Sequence, residues 1–304
     1  MTETEAPAPH IRIAYAAANG AGESAHWSAS EGALYWVDIT GRKVERYEPT
    51  GGRHDEWKVP GMPEALALRR KGGAILSLDN RVCLFDFTAE PKTLCIPEPD
   101  RPGNRLNEGV CDPEGRFWVG SMQNNTAPDG SPMPMDRTSG RLFRIDPDGT
   151  ATLADRNEYG ISNTMAWRAD ATFLFGDTLA HTIYAFDYDR EAGAVRNRRV
   201  FAHTPDHGYP DGSCLDTEGY LWNARFGGGA VIRYAPDGSI DRIVKLPVRN
   251  PTSCAFGGPG LATLFVTSAR FSLTPDDIAR NPSEGALLAL DVGVSGVPAA
   301  LFAG

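Results

Sequence analysis

The sequence lacks the marks of membrane, secreted and nucleic-acid-binding proteins. No run of about 18 apolar residues predicts a membrane span. The first ten residues, MTETEAPAPH, have neither the basic start nor the apolar core of a signal peptide. No Lys/Arg run is dense enough to neutralise a row of phosphates, and the formal net charge is −9. We therefore expect a cytoplasmic protein that binds neither nucleic acid nor membrane.

Two kinds of reactive centre are also missing. No Gly-x-Ser-x-Gly motif occurs, so a nucleophile elbow with a Ser-His-Asp triad has no support. The five cysteines form no CxxC pair and have no histidine at zinc-finger spacing. We expect reduced thiols, with Cys214 and Cys254 buried among small and apolar residues.

What the chain has instead is a repeated pattern of short apolar runs and turns. Of its 304 residues, 41% are hydrophobic, and 33 Gly and 23 Pro are scattered between the runs. Six similar strand pairs begin at residues 32, 73, 115, 171, 219 and 262. Periods of roughly 40–50 residues with about four strands each are typical of propeller blades. The pattern predicts an all-β protein, a six-bladed β-propeller formed by residues 11–304 as a single domain, with separate sandwich domains as the weaker alternative.

The N-terminal residues lie outside this repeat. Residues 1–10 are predicted to be a disordered N-terminal tail. Residues 11–16 form a spare apolar strand ahead of the first complete hairpin. Because a closed ring has no free sheet edges, we expect this strand to pair with the last blade.

Three polar positions in different blades are candidates for a shared site. Glu23, Asn163 and Asp211 each stand beside Gly, Pro or Ser in an inter-blade position, and each is predicted to precede a strand that faces the central channel. Singly they are ordinary, because Pro-Asp-Gly is a common turn and recurs at residues 147–149 and 236–238. Those two copies follow outer strands and are predicted to be plain turns, whereas Asp211 precedes an inner-strand sequence and is predicted to face the channel.

At these positions the chain resembles the SMP-30/gluconolactonase family of sugar lactonases, including regucalcin-like proteins, over nearly its whole length. The matching segments are residues 22–27, 34–39, 105–109, 112–122, 162–163 and 209–212. The resemblance implies that Glu23, Asn163 and Asp211 are metal ligands. It also implies that Arg105 and Asn107 face the substrate.

The residue types suit that role. Two carboxylates and an amide carbonyl form an all-oxygen ligand set for one divalent cation, with Ca²⁺ first and Mg²⁺, Mn²⁺, Zn²⁺ and Fe²⁺ as alternatives. Three protein ligands leave coordination positions for water and a substrate oxygen. Arg105 and Asn107 are two residues apart, which places both side chains on one face of an extended segment.

The chain departs from the family pattern at three places. Glu108 stands where Asp is more usual, Ser24-Ala25 replaces Gly-Pro, and Asn125 occupies a position where some relatives have a substrate-facing Glu. Asn125 belongs to a polar insertion, residues 124–139, that we expect to cover the site. We therefore count Asn125 among the substrate-binding residues and expect the choice of sugar to depend on it.

The residues and the family resemblance together predict metal-dependent hydrolysis of an aldonolactone to the aldonic acid in sugar catabolism. The lactone is of the gluconolactone, xylonolactone, arabinonolactone or galactonolactone type. Asp211 is the candidate catalytic base as well as a metal ligand. The predicted partner is a small-molecule sugar lactone, and the protein is expected to be a monomer or a weak homo-oligomer. Two alternatives stay open: a regucalcin-like calcium-binding protein without turnover, and a phosphotriesterase-like propeller hydrolase.

Overall fold

The computed structural model describes residues 9–304, whose strands form six four-stranded antiparallel sheets. Each sheet is one blade. Blade 1 consists of β2 (Gly22–Ser28), β3 (Ala33–Asp38), β4 (Lys43–Glu48) and β5 (Arg53–Lys58). Blade 2 consists of β6 (Pro63–Leu68), β7 (Ala74–Leu78), β8 (Arg81–Phe85) and β9 (Lys92–Cys95). Blade 3 consists of β10 (Asn104–Cys111), β11 (Phe117–Gln123), β12 (Gly140–Ile145) and β13 (Ala151–Tyr159).

The second half of the chain repeats this arrangement. Blade 4 consists of β14 (Ser162–Trp167), β15 (Thr172–Asp177), β16 (Thr182–Asp189) and β17 (Ala194–His203). Blade 5 consists of β18 (Tyr209–Leu215), β19 (Leu221–Phe226), β20 (Ala230–Tyr234) and β21 (Ile240–Lys245). Blade 6 consists of β22 (Pro251–Gly257), β23 (Thr263–Ser268), β24 (Leu287–Asp291) and β1 (His10–Tyr15). One α-helix, α1 (Pro275–Arg280), and a 3₁₀ turn, Pro259–Leu261, are the helical segments of this part of the chain, and neither is long and apolar enough to cross a membrane.

The N-terminal strand closes the ring as predicted. β1 pairs antiparallel with β24, with Ile11 opposite Leu290, so blade 6 is built from both ends of the chain. The innermost strands β2, β6, β10, β14, β18 and β22 pack against one another around the channel. The six-bladed propeller is confirmed. Of the predicted tail, residues 1–8 lie outside the described residues, and His10 already belongs to β1.

The repeated strand pairs are the second and third strands of each blade. They read clearly in the sequence because apolar side chains from both of their faces are buried between neighbouring blades, as for Trp36, Trp118 and Trp222. The innermost strands carry more polar residues near their starts. Glu23, Asn163 and Asp211 accordingly lie within β2, β14 and β18, and not before an inner strand as the sequence suggested.

A buried carboxylate organises the turn after the innermost strand in blade 5. Asp216 accepts hydrogen bonds from the indole Nε1 of Trp222 at 2.9 Å and from Nε of Arg233 at 2.8 Å. It also accepts from the main-chain nitrogen of Tyr220 at 3.0 Å. Asp112 and Trp118 repeat the indole contact in blade 3, so the same arrangement occurs in two blades.

We expect Asp216→Ala to lower the free energy of unfolding by about 3–5 kcal/mol, because it leaves the buried donors of Trp222 and Arg233 short of an acceptor. Urea denaturation measures the loss. Asp237→Ala, in the exposed Pro-Asp-Gly turn, is the matched control and should cost less than about 1 kcal/mol. Equal losses in the two variants would contradict the role given to Asp216.

Candidate functional site

Each innermost strand has a break in its pairing with the second strand of its blade. The breaks lie between Glu23 and His26, Pro63 and Ala65, Leu106 and Gly109, Asn163 and Met165, Pro210 and Ser213, and Pro251 and Cys254. Such bulges bend a strand and change the direction of its side chains. Because all six lie near the N-terminal ends of the inner strands, polar residues from different blades are directed into the same end of the channel.

This end of the channel holds a cavity of about 130 Å³. The structure brings all the sequence-predicted site residues to its wall: Glu23, Arg105, Asn107, Asn125, Asn163 and Asp211. They come from blades 1, 3, 4 and 5. Apolar side chains, among them Ile39, Met122 and Phe226, complete the wall.

The Asn163 side chain is held in one orientation. Its Nδ2 donates to Oγ1 of Thr178 at 3.0 Å, and that hydroxyl donates to the carbonyl oxygen of Pro210 at 2.8 Å. Because the amide nitrogen donates to Thr178, the Asn163 carbonyl oxygen stays available as a ligand. Thr178 was not predicted from the sequence, since a threonine just after a strand carries no distinctive signal.

Asp211 is fixed through its main chain while its carboxylate stays short of partners. The carbonyl oxygen of Asp211 accepts from Oγ1 of Thr164 at 2.6 Å and from Nδ2 of Asn223 at 2.8 Å. The side chain is 5% exposed, and Oδ1 has no hydrogen-bond partner within residues 9–304. A buried acceptor without a partner is unfavourable and calls for a donor or a cation.

The electrostatics of the cavity favour a bound positive charge. Burial raises the pKa of Glu23, and the charges of Asp211 and Glu108 raise it further. Burial and the charge of Glu108 likewise raise the pKa of Asp211. Among the described residues no group of three His, Cys, Asp or Glu side chains could hold a metal ion, and the Asn163 amide is a further oxygen donor in the same cavity wall. The hard oxygen donors and the partnerless Oδ1 fit such a cation.

Arg105 holds the side chains of a second group of residues in the cavity wall. Its Nη1 donates to Oδ1 of Asn107 at 2.8 Å, and its Nη2 donates to Oδ1 of Asn125 at 3.1 Å. Asn107 also donates to the carbonyl oxygen of Ser162 at 2.9 Å, so both ends of that amide are already engaged. The Asn125 oxygen accepts a second bond from Thr126, which leaves the Asn125 amide hydrogens to face a ligand.

The insertion of residues 124–139 lies at the rim of this cavity. It leaves blade 3, and Asn125 and Thr126 contribute to the cavity wall. Farther along, the carbonyl oxygen of Pro128 accepts a bond from Nη2 of Arg42 in blade 1 at 2.6 Å. The loop therefore reaches from blade 3 to blade 1 beside the cavity.

Glu64 is a further buried carboxylate that the sequence analysis missed. It is 2% exposed, Oε1 has no partner in the described part of the chain, and its charge acts on Arg105. Burial lowers the pKa of Arg105, and Glu64 opposes this most strongly. Glu64 is the second residue of β6, as Glu23 is of β2. The sequence does contain a signal for this residue, because Glu64 interrupts an otherwise apolar run.

The other end of the channel contains a second cavity, of about 160 Å³. Its wall includes His26, Glu108 and Trp167. Glu108, one of the departures from the family pattern, accepts a bond from the main-chain nitrogen of Gly109 at 2.9 Å, and burial raises its pKa to about 7. His26 is 6% exposed, its Nε2 has no partner in residues 9–304, and burial lowers its pKa to about 4.

His26 should make the fold sensitive to acid. The unfolded chain binds a proton at this residue below a pKa of about 6.5, whereas the folded protein resists it down to about 4. Stability is therefore full above pH 6.5 and is lost as the pH falls through this window. We expect His26 to lower the free energy of unfolding by about 2–3 kcal/mol at pH 4.5 relative to pH 7.5. Urea denaturation of His26→Leu and the wild type at both pH values measures this change. The free energy of unfolding should fall less in the variant than in the wild type, and an equal fall would contradict the role given to His26.

The chain is similar to known proteins of one family. Residues 21–270 match the family described as SMP-30/Gluconolactonase/LRE-like region. Regucalcin of Xenopus laevis is 37% identical over 288 residues, which cover 93% of this chain and 95% of that protein.

Solved structures show the same fold. A protein from Agrobacterium tumefaciens described as a calcium-binding protein, regucalcin, superimposes with a TM-score of 0.89 at 29% identity and covers 97% of each chain. A gluconolactonase from Xanthomonas campestris has a TM-score of 0.76 at 21% identity, covering 93% of this chain and 89% of its own, which is a likeness of fold alone. The chain belongs to the SMP-30/gluconolactonase/LRE-like family.

Proposed function

We propose that this protein hydrolyses an aldonolactone to the aldonic acid with the help of one divalent cation. The observation that carries the proposal is the partnerless, buried Oδ1 of Asp211 in a cavity that also presents Glu23, Asn163 and the Arg105 group. A buried carboxylate oxygen without a partner is unfavourable unless a donor or a cation binds it. Membership of a family that includes gluconolactonases supports the reaction class.

Glu23, Asn163 and Asp211 would hold the cation through oxygen atoms. Hard oxygen donors suit Ca²⁺ first, with Mg²⁺, Mn²⁺, Zn²⁺ and Fe²⁺ as alternatives, and the Agrobacterium relative is described as calcium-binding. When bound, such an ion acts as a Lewis acid that polarises a carbonyl and stabilises negative charge developing on its oxygen.

The protein's own groups would bind and orient the lactone. The Asn125 amide hydrogens can donate to a ring hydroxyl or carbonyl oxygen, and Nε of Arg105 is a further buried donor without a partner in the described residues. Asn107 keeps Arg105 in place through its Oδ1 and has one amide hydrogen left to offer. Neutral and cationic donors of this kind suit the many oxygens of a sugar lactone.

Asp211 would move the proton. Its carboxylate accepts a proton from the water that attacks the lactone carbonyl carbon, which forms a new carbon–oxygen bond. The ring carbon–oxygen bond then breaks, and the proton passes to the departing ring oxygen, which becomes a hydroxyl of the product. The side chains of Thr164 and Asn223, which donate to the main-chain carbonyl oxygen of Asp211, would keep this residue in position during both proton transfers.

A regucalcin-like calcium-binding protein without turnover is the second candidate, because the curated relatives carry the name regucalcin. The two candidates predict different results in one assay. Glucono-, xylono-, arabinono- and galactonolactones and an aryl dialkyl phosphate are tested with the metal-loaded protein, with a chelator, and after each cation is returned. Acid release is measured against the spontaneous rate.

We expect hydrolysis of at least one lactone, its loss in the chelator, and its recovery with Ca²⁺ or another of the named cations. Calcium binding by calorimetry without hydrolysis of any lactone would favour the second candidate. Cleavage of the phosphate triester alone would favour a phosphotriesterase. Full lactone hydrolysis in the chelator would exclude the role given to the cation.

A further inference from the structure

Two cysteines from adjacent blades meet at the second cavity, whose wall includes none of the three proposed metal ligands. Cys214 lies on β18 of blade 5 and Cys254 lies on β22 of blade 6. Their sulfur atoms are 3.6 Å apart, and both side chains contribute to the wall of the 160 Å³ cavity. Neither the family resemblance nor the proposed reaction uses them.

We propose that Cys214 and Cys254 are a dithiol modification site that a peroxide oxidises reversibly to a disulfide joining blades 5 and 6. The two thiols lose two protons and two electrons and form one sulfur–sulfur bond. Hydrogen peroxide accepts both and is reduced to two molecules of water. A dithiol reductant reverses the step by thiol–disulfide exchange.

The surroundings allow the sulfur atoms to approach each other. A disulfide requires about 2.05 Å between the sulfurs, so the present gap must close by roughly 1.5 Å. The adjoining cavity leaves space for the side chains to rotate. Cys214 is only partly buried, whereas Cys254 is 2% exposed and its thiol donates weakly to the carbonyl oxygen of Trp222 at 3.4 Å. Cys214 is therefore the thiol that peroxide reaches first.

The same surroundings keep the pair reduced under mild conditions. Burial raises the pKa of the Cys214 thiol, and its contact with Cys254 raises it further. Because the thiolate is the reactive form, oxidation should be slow near neutrality and should speed up about tenfold per pH unit while the thiol predominates. The disulfide would close a segment of 40 residues between the two strands. Such a closure is expected to raise the unfolding temperature by about 5 °C.

Another cysteine pair in the chain provides a matched control. Cys83 on β8 and Cys95 on β9 lie on neighbouring strands of blade 2. Within residues 9–304 no hydrogen bond joins their sulfur atoms, and Cys83 instead donates to Oγ1 of Thr93 at 3.9 Å. Both pairs thus lie on neighbouring strands, whereas among the described residues a sulfur–sulfur contact is present only between Cys214 and Cys254.

The full-length protein is reduced, treated with hydrogen peroxide, denatured, and labelled with a maleimide for intact mass and peptide mapping. The chain has five cysteines. We expect five labels before oxidation, three after it, five again after dithiothreitol, and a cross-linked peptide pair containing Cys214 and Cys254. Cys254→Ser should carry four labels before and after oxidation, whereas Cys83→Ser should fall from four to two.

Five labels on the oxidised wild type would overturn the proposal, as would a disulfide mapped to Cys83 and Cys95 or found only between two chains. The wild-type mass decides the matter even where a variant folds poorly. Cys214→Ser tests the same bond from the other blade and should also keep four labels.

Discussion

Asp211→Asn is expected to lower kcat/KM for the best lactone by about 10³-fold or more, equivalent to about 4 kcal/mol of transition-state stabilisation. The amide keeps the shape of the side chain but cannot accept a proton from water. It also removes one of the two charges that would hold the cation. Stopped assays of the variant and the wild type at the same cation concentration measure the loss.

A chemically identical substitution elsewhere in the chain controls for general effects. Asp237→Asn changes the same Pro-Asp-Gly sequence in an exposed turn, where the carboxylate accepts bonds from Ser239. We expect activity within about twofold of the wild type there, because surface changes of this kind have small effects. If Asp211→Asn retained wild-type turnover, both the base assignment and the metal assignment of Asp211 would be wrong.

The same variant separates a failed metal assignment from a failed reaction. A cation at a concentration of about 100 times its Kd stabilises the folded protein by about 2.7 kcal/mol, or about 4 °C in Tm for a chain of this size. We expect this shift in the wild type and its loss in Asp211→Asn. A preserved shift with no turnover would show that the cation binds without Asp211.

Arg105→Lys is expected to lower kcat/KM by about 10²-fold, close to 2.7 kcal/mol. The guanidinium contacts Asn107 and Asn125 from two different nitrogen atoms, and a lysine ammonium cannot reproduce that planar fork. The Asn125 amide then loses its fixed orientation, so we expect KM to rise as well as kcat to fall. Steady-state kinetics on the best lactone separate the two effects.

Arg156→Lys is the control for the arginine substitution, because Arg156 is exposed on β13 at the outside of blade 3. It should leave both kinetic constants unchanged. Circular dichroism verifies that Arg105→Lys folds, since the buried carboxylate of Glu64 partly relies on the charge at residue 105. Unchanged kinetics in folded Arg105→Lys would remove Arg105 from the substrate site.

The architecture could be predicted from the sequence because it depends on a local pattern that is repeated six times. The second and third strands of each blade bury both faces, so their apolar runs are visible without knowledge of any partner. The spare strand at residues 11–16 was assigned to the last blade for a similarly general reason, and its pairing with β24 confirms it. The first residue of the domain was harder to predict, since β1 begins at His10 and the predicted domain at residue 11.

The candidate site was predictable only in part. The order and spacing of Glu23, Asn163 and Asp211 matched a family pattern, and two other Pro-Asp-Gly turns showed that local sequence alone does not make a site. Neither Glu64 nor Thr178 was found, although the first interrupts an apolar strand and the second holds the Asn163 amide.

The sequence by itself thus determined the number of blades, the ring closure and the residues that are candidates for the site. Only the tertiary structure decided which of their atoms are free: Asp211 Oδ1 has no partner in residues 9–304, whereas both ends of the Asn107 amide are engaged. It also placed Glu108 at the opposite cavity. The physical reason is that bulges in the inner strands set side-chain directions, and the hydrogen-bond partners come from other blades, at distances along the chain that no local pattern records.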